Sequence, residues 1–239
     1  MERRYGTLYG IGVGPGDPDH MTLKAVKALS VVDVIYAASS TKNSHSLAVK
    51  IAAPHIPQNT PVHRIAFPMC KDKDVLEAAW EKNARIVAGT LEQGKNAAFL
   101  TLGDCLTYST YGYLARHVRR VAPGAKLVAV PGITSYQAAA ARTNRQLVEG
   151  EESLVVMSGV KGGDRFRDVA GHTENAVFLK AYKNVDDICL ALSDNGWVDN
   201  SVGVVSCGLP DERVVDDVSE FNAAPPDYWT LILAKRKKQ

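Results

Sequence analysis

The chain has 239 residues, enough to bury a sizeable core as one large domain or two small ones. With 46% hydrophobic and 23% charged residues it has the make-up of an ordinary soluble protein, and its net charge of +2 implies no polyanion partner. Cys70, Cys105, Cys189 and Cys207 form no C-x-x-C pair, no apolar run approaches a membrane span, and "MERRYGTLYG" lacks the apolar stretch of a signal peptide, so the expectation is a cytoplasmic protein with free thiols and no membrane contact.

In chain order, residues 8–12 read as a strand, and Thr22 as the N-cap of a helix over "LKAVKALS". "VDVIYAA" reads as a second strand and "SHSLAVKIAAPH" as a helix stopped at Pro54. The clearest helix is "VLEAAWEKNARIVAGTLEQG", with Leu76, Trp80, Asn83 and Val87 near one face and Gly94 at its end. The strand "AAFLTL", the helix "STYGYLARHVRR" and the strand "KLVAV" follow. Short apolar strands alternating with helices predict a largely parallel sheet covered on both faces. The second half carries more strand: "SLVVMS", "NAVFLKA", "SVGVVSC" and "YWTLILA", with helices over "YQAAAARTN" and "VDDICLALSDNG" and an extended segment over "ERVVDDVSEF". A mixed sheet is expected there. The reading is therefore α/β with two domains, 1–124 and 125–239, divided near "VAPGAKL"; the basic "KRKKQ" reads as a solvated tail.

Three strand-to-helix junctions hold candidate chemistry. "GIGVGPGD" fails the G-x-G-x-x-G test, because the last position falls on Pro15 counting from Gly10 and on Asp17 counting from Gly12. It also lacks the Gly-Lys-Ser/Thr ending of a phosphate loop, and Asp17 is poor company for an anion. Its glycines suit a tight turn and close backbone approach. "LTLGDCLTYST" places Gly103-Asp104 at a strand end, where ligands of open α/β sheets bind; Asp104 either caps the following helix or meets a ligand. "VPGITS" is turn and cap chemistry, with Thr134 and Ser135 opening a helix. The six histidines show no metal-ligand spacing, so no resident metal is expected.

Each stretch alone is weak. In their order and spacing, "GIGVGPGD", "LGDxxxY" and "VPGITS", followed by "VFLKAYKN" and "VSCGLPDERVV", resemble the tetrapyrrole methylase family over nearly the whole chain. Within it, "YGIGVGPGDPDHMTLKAVKAL", "LGDCLTYST" and "KAYKN" look most like the members that methylate C-20 of precorrin-2 or cobalt-precorrin-2 on the way to cobalamin; uroporphyrinogen-III C-methyltransferase is the alternative. The resemblance implies two α/β domains with S-adenosylmethionine in the cleft between them, a tetrapyrrole substrate rather than a nucleic acid, and a homodimer. Carried onto this chain, the cofactor contacts are Leu102, Gly103, Asp104, Thr107, Thr134, Ser135, Lys180, Cys207, Gly208 and Thr230. Gly14, Pro15 and Gly16 face the tetrapyrrole, and Asp17 is the candidate base, with a turn-capping role as its alternative. Many members have proline where this chain has Cys105, a residue that cannot lock φ. Arg116, Arg119, Arg120, Arg142, Arg145, Lys161, Arg165 and Arg167 are candidates for the substrate's carboxylate arms.

Overall fold

The computed structural model describes residues 5–39, 47–223 and 226–237, and the chain divides into two units, Met1–Thr134 and Ser135–Gln239.

The first unit holds β1 (Thr7–Gly12), α1 (Leu23–Leu29), β2 (Val34–Ser39), α2 (Leu47–Ala52), β3 (Val62–Ala66), α3 (Lys73–Leu91), β4 (Ala97–Thr101), α4 (Tyr111–Val121) and β5 (Lys126–Val130). The strands pair in the order β3-β2-β4-β1-β5, all parallel. Apolar residues on both sides of the central strands explain why helices cover both faces. On one face Ile11, Ile35, Ala98, Leu100 and Val130 meet Ala25 and Leu29 of α1 and Ile51 of α2. On the other, Leu8, Tyr36 and Phe99 meet Val87 and Leu91 of α3 and Leu114 and Val118 of α4. The helices start where side chains satisfy free backbone donors: Thr22 Oγ1 accepts from the Ala25 amide at 3.2 Å, and Asp72 accepts from the Asp74 and Val75 amides.

This order has a functional consequence. β1 leads through α1 toward β2 on one side, while its neighbour β4 leads through α4 to β5 on the other. The connections part between β1 and β4, and in open α/β sheets that crevice at the carboxyl ends of the strands is where ligands bind.

The second unit holds α5 (Ser135–Thr143), β6 (Leu154–Ser158), α6 (Asp164–Val169), β7 (Asn175–Leu179), α7 (Val185–Asp194), β8 (Ser201–Val205), β9 (Arg213–Val215) and β10 (Thr230–Lys235). Its order is β6-β7-β10-β8-β9, with β6–β7 parallel and the other pairs antiparallel. Its core centres on Phe166, which meets Phe178 and Trp197 edge-on at 5.4 and 4.9 Å between ring centres.

The parallel and mixed sheets are as expected from sequence; four details differ. The division falls after Thr134 rather than near residue 124, because Lys126–Val130 pairs in register with β1 and so completes the first sheet. β3 was not expected: it is a polar edge strand with Ile65 its only buried residue. α6 was missed because six residues carry little periodicity. Only Arg213–Val215 of "ERVVDDVSEF" is strand; Val218–Asn222 forms a 3₁₀ turn, started by Asp217 accepting from the Ser219 amide, that buries Val218 and Phe221 in the α7 core. The expected helix over residues 44–55 begins in residues outside those described; from Leu47 it is α2 followed by a 3₁₀ turn.

Candidate functional site

At the base of the crevice between β1 and β4 the two chains meet backbone to backbone. Beyond the strand ends, Gly14 and Gly103 form an isolated bridge: the Gly14 amide donates to the Gly103 carbonyl at 3.2 Å and the Gly103 amide to the Gly14 carbonyl at 2.8 Å. Both residues have positive φ, +81° and +66°. The loop after β5 joins them. A Cβ on Gly132 would lie 2.2 Å from the Gly103 carbonyl oxygen, and one on Gly12 would lie 2.6 Å from that oxygen and 2.7 Å from the Gly132 nitrogen. Backbone this close leaves no volume for any side chain, which is the physical need for glycine at 12 and 132.

Asp104 ties the junction together. Its Oδ1 accepts from the amides of Leu106 and Thr107 at 2.9 and 3.0 Å and from the Thr107 hydroxyl at 3.1 Å; Oδ2 accepts from the Gly132 amide at 3.1 Å. Burial pulls the carboxyl up, but the hydrogen bonds from Leu106, Gly132 and Thr107 outweigh it and hold the group below the usual range. Asp104 is therefore an ionised strut between the loops after β4 and β5, not the cap of α4. Cys105, where many relatives of the resembled family have proline, is buried with Sγ 3.4 Å from the Val130 carbonyl. Burial, with the Asp104 charge beside it, pushes its thiol up to about 11. The loop's shape is thus held by Asp104 and by packing of Cys105 rather than by a locked φ. Leu102 is half-buried, Thr134 is buried, and Leu106 is 67% exposed at the rim.

The glycine-rich loop lies along the same crevice. Gly14, Pro15 and Gly16 are buried. Asp17 starts a 3₁₀ turn over Pro18–His20, its Oδ1 accepting from the Asp19 amide at 2.9 Å. Its turn-capping role is therefore present, and among the described residues Oδ2 has no partner. His55 Nε2 braces the turn at 3.3 Å from the Pro18 carbonyl, and Thr22 Oγ1 reaches the Pro131 carbonyl at 3.5 Å.

In the second unit the predicted positions gather where β7 and β8 end and β10 begins. The Ala181 amide donates to the Thr230 carbonyl and the Ser206 amide to the Trp229 carbonyl, both at 2.9 Å. Lys180 and Ser206, neither of them glycine, are held at φ +58° and +52°. Lys180 is exposed; Thr230 is buried, its hydroxyl donating to the Asp227 carbonyl at 2.7 Å. Glu212 shapes the turn after β8, accepting from the Gly208 amide at 2.7 Å and from Arg142. Burial, and then the Glu212 charge, push the Cys207 thiol up to about 12. Ser135 is the first residue of α5. Among the candidate carboxylate binders, Arg142 is engaged by Glu212 and Arg167 by Asp187 at 2.7 Å.

The structure thus brings Gly14, Gly103, Asp104 and Thr107 together in the first unit, and Lys180, Cys207, Gly208 and Thr230 near one end of the second sheet. Sequence reasoning missed Gly12, Gly132 and Ser206. The first two are legible only as glycines at strand ends, and the third has no sequence signal. Among the described residues no group of three or more His, Cys, Asp or Glu could hold a metal ion, and no helix is long and apolar enough to cross a membrane.

Comparison with known proteins matches residues 7–221 to the family described as Tetrapyrrole (Corrin/Porphyrin) Methylases. The cobalt-precorrin-2 C(20)-methyltransferase of Salmonella typhimurium is 30% identical over 233 residues, covering 97% of each chain. A probable cobalt-precorrin-2 C(20)-methyltransferase of Methanocaldococcus jannaschii is 32% identical over 245 residues, covering 100% of both. Among solved structures, a cobalt precorrin-4 methyltransferase superposes with a TM-score of 0.75 at 22% identity, covering 96% of this chain and 94% of that one. The uroporphyrin-III C-methyltransferase of Thermus thermophilus, complexed with S-adenosylhomocysteine, superposes with a TM-score of 0.67 at 22% identity, covering 95% and 97%.

Proposed function

The chain belongs to the tetrapyrrole (corrin/porphyrin) methylases, and from that membership we propose that it methylates C-20 of precorrin-2 or cobalt-precorrin-2 in corrin ring synthesis, using S-adenosylmethionine. The observation that carries this reading is the full-length match to C(20)-methyltransferases at 30% and 32% identity. The switch-point crevice supports it as the place of reaction.

S-adenosylmethionine supplies an electrophilic methyl group on a cationic sulfur. The first unit suits such a group. Asp104 is ionised beside the Gly103 turn, and Leu106 lies exposed at the rim to shield it from water. Direct methyl transfer asks the protein for placement and dryness rather than for a nucleophile. The thiols agree: Cys105 and Cys207 are raised to about 11 and about 12, so neither is a thiolate that competes for the methyl group. We assign cofactor contacts to Leu102, Gly103, Asp104, Thr107 and Thr134 in the first unit and to Ser135, Lys180, Cys207, Gly208 and Thr230 in the second. Gly14, Pro15 and Gly16 let the flat macrocycle approach backbone. Asp17 is the proposed acceptor of the proton that C-20 loses, through the oxygen its turn leaves unpartnered. Cobalt, where present, arrives inside the macrocycle. The reading includes a homodimer working in the cytoplasm.

The test is methylation of purified protein's candidate substrates: precorrin-2, cobalt-precorrin-2 and uroporphyrinogen III, each with S-adenosylmethionine. One methyl group added at C-20 of either precorrin is expected. Methylation of uroporphyrinogen III alone would replace the reading with its alternative, and no product from any of the three would end it.

A further inference from the structure

One atom in the first unit breaks the rule that buried polar groups find partners. His20 Nδ1 is buried with no hydrogen bond, and it is the only such side-chain nitrogen or oxygen among the described residues. His20 closes the 3₁₀ turn of the glycine-rich loop, its amide donating to the Asp17 carbonyl at 3.0 Å. Its Cβ lies 3.1 Å from where a Cβ on Gly14 would be, so it packs directly on the residue that bridges to Gly103. His20 therefore packs beside the switch point, where the sheet topology places a ligand.

The orphan also decides the tautomer. A proton on Nδ1 would be a buried donor with no acceptor, whereas a bare Nδ1 leaves only a lone pair unused. The neutral ring then carries its proton on Nε2. Among the described residues Nε2 has no protein partner, and it is not sealed off as Nδ1 is, since the side chain is only half-buried. A donor with no protein acceptor among the described residues, on a residue packed against the Gly14 bridge, suits a ligand oxygen. We propose that His20 is a substrate-binding residue that donates a hydrogen bond from Nε2 to a carboxylate arm of the tetrapyrrole, an assignment that rests on the function proposed above. His20 is then a donor and not the base, which leaves proton removal to Asp17. No hydrogen bond among the described residues is lost if the imidazole is replaced by an apolar group, because the ring makes none with them.

Full-length wild type, His20→Leu and His20→Gln are compared with the precorrin that the wild type methylates. The Gln amide reaches the Nε2 position and keeps the donor; Leu fills the volume without it. For His20→Leu, KM for the tetrapyrrole rises about tenfold or more, as loss of a hydrogen bond to a charged group requires. Its Kd for S-adenosylmethionine is unchanged by calorimetry and its Tm is unchanged or raised. For His20→Gln, KM stays within about threefold of wild type. Equal KM in all three proteins, equal loss in Leu and Gln, or a loss confined to S-adenosylmethionine binding overturns the proposal. If His20→Leu lowers Tm, His20→Asn decides: its amide matches Nδ1 rather than Nε2, so a raised KM is expected and a wild-type KM refutes. A wild type that methylates none of the tetrapyrroles removes the proposed function and this assignment together. A wild type that is active while the variants match it removes this assignment alone.

Discussion

At the ends of β1, β4 and β5 the backbones meet on Gly12, Gly103 and Gly132, whereas at the ends of β7 and β8 the chain turns on Lys180 and Ser206, both at positive φ. The contrast follows from strand direction. In the parallel sheet three neighbouring strands deliver their loops to the same edge, and the backbones crowd until only glycine fits. In the second sheet β10 runs the other way and starts between β7 and β8, so each turn lies beside an incoming strand rather than another turn. The Ala181 and Ser206 amides bond to that strand, and these bonds hold two side-chain-bearing residues in a region that costs about 1–2 kcal/mol per residue. At these three strand ends the first unit thus gains rigidity with glycine alone, its left-handed Tyr108 (φ +50°) lying further along the loop after β4, while the second unit stores strain next to Thr230. Strain kept in place by its surroundings marks functional positions, which agrees with the contacts assigned to Lys180 and the turn after β8.

The sharpest way to break the comparison is Gly132→Ala. Its Cβ would lie 2.2 Å from the Gly103 carbonyl oxygen, a backbone atom held by its own hydrogen bond. A loss of about 3 kcal/mol or more is expected in denaturant unfolding, with methyl transfer abolished. Unaltered stability would mean that the three loops are not locked.

Asp104→Ala comes next. It leaves the Leu106, Thr107 and Gly132 amides without their acceptor, and about 2 kcal/mol of stability and tenfold or more in S-adenosylmethionine affinity should go with them. The same group sets a pH dependence. Its folded value lies below the unfolded one of about 4, so its stabilisation is fully present above that pH and is lost as pH falls through the folded value. Wild type should therefore lose more stability between neutral pH and pH about 3 than Asp104→Ala does, by parallel denaturant titrations; identical curves would remove Asp104 as the strut.

The smallest effect is expected from Lys180→Gly. Relief of the left-handed backbone, partly offset by the greater freedom of glycine in the unfolded chain, should raise stability by about 0.5–1 kcal/mol. S-adenosylmethionine binding should weaken if the side chain contributes; a destabilised variant with unchanged binding would show that the second sheet's turn stores no strain and that Lys180 is no contact.

Much of this was legible in sequence because it rests on local rules. Thr22 as an N-cap, the two-faced burial of "AAFLTL" and the switch from a parallel to a mixed sheet follow from side-chain period and capping chemistry. The elements that escaped notice carry weak local signals. β3 is polar and held by its pairing to β2, α6 is a six-residue helix, and the 3₁₀ turn at Val218–Asn222 reads as extended because its two apolar residues bury against α7. β5 has strand character wherever it goes, and only its pairing with β1 assigns it to the first unit.

For the site the same boundary holds. Residue types and spacing marked Gly14, Gly103 and Asp104, because glycines and a carboxylate at strand ends stand out along a chain, and the family resemblance alone added Lys180. Their tasks were decided by tertiary structure: whether Asp104 caps a helix or braces two loops depends on the Gly132 amide, 28 residues away in sequence. The orphaned nitrogen of His20 and the left-handed Ser206 have no sequence signature at all, since an absent partner and a backbone angle are properties of surroundings that the chain acquires only when folded.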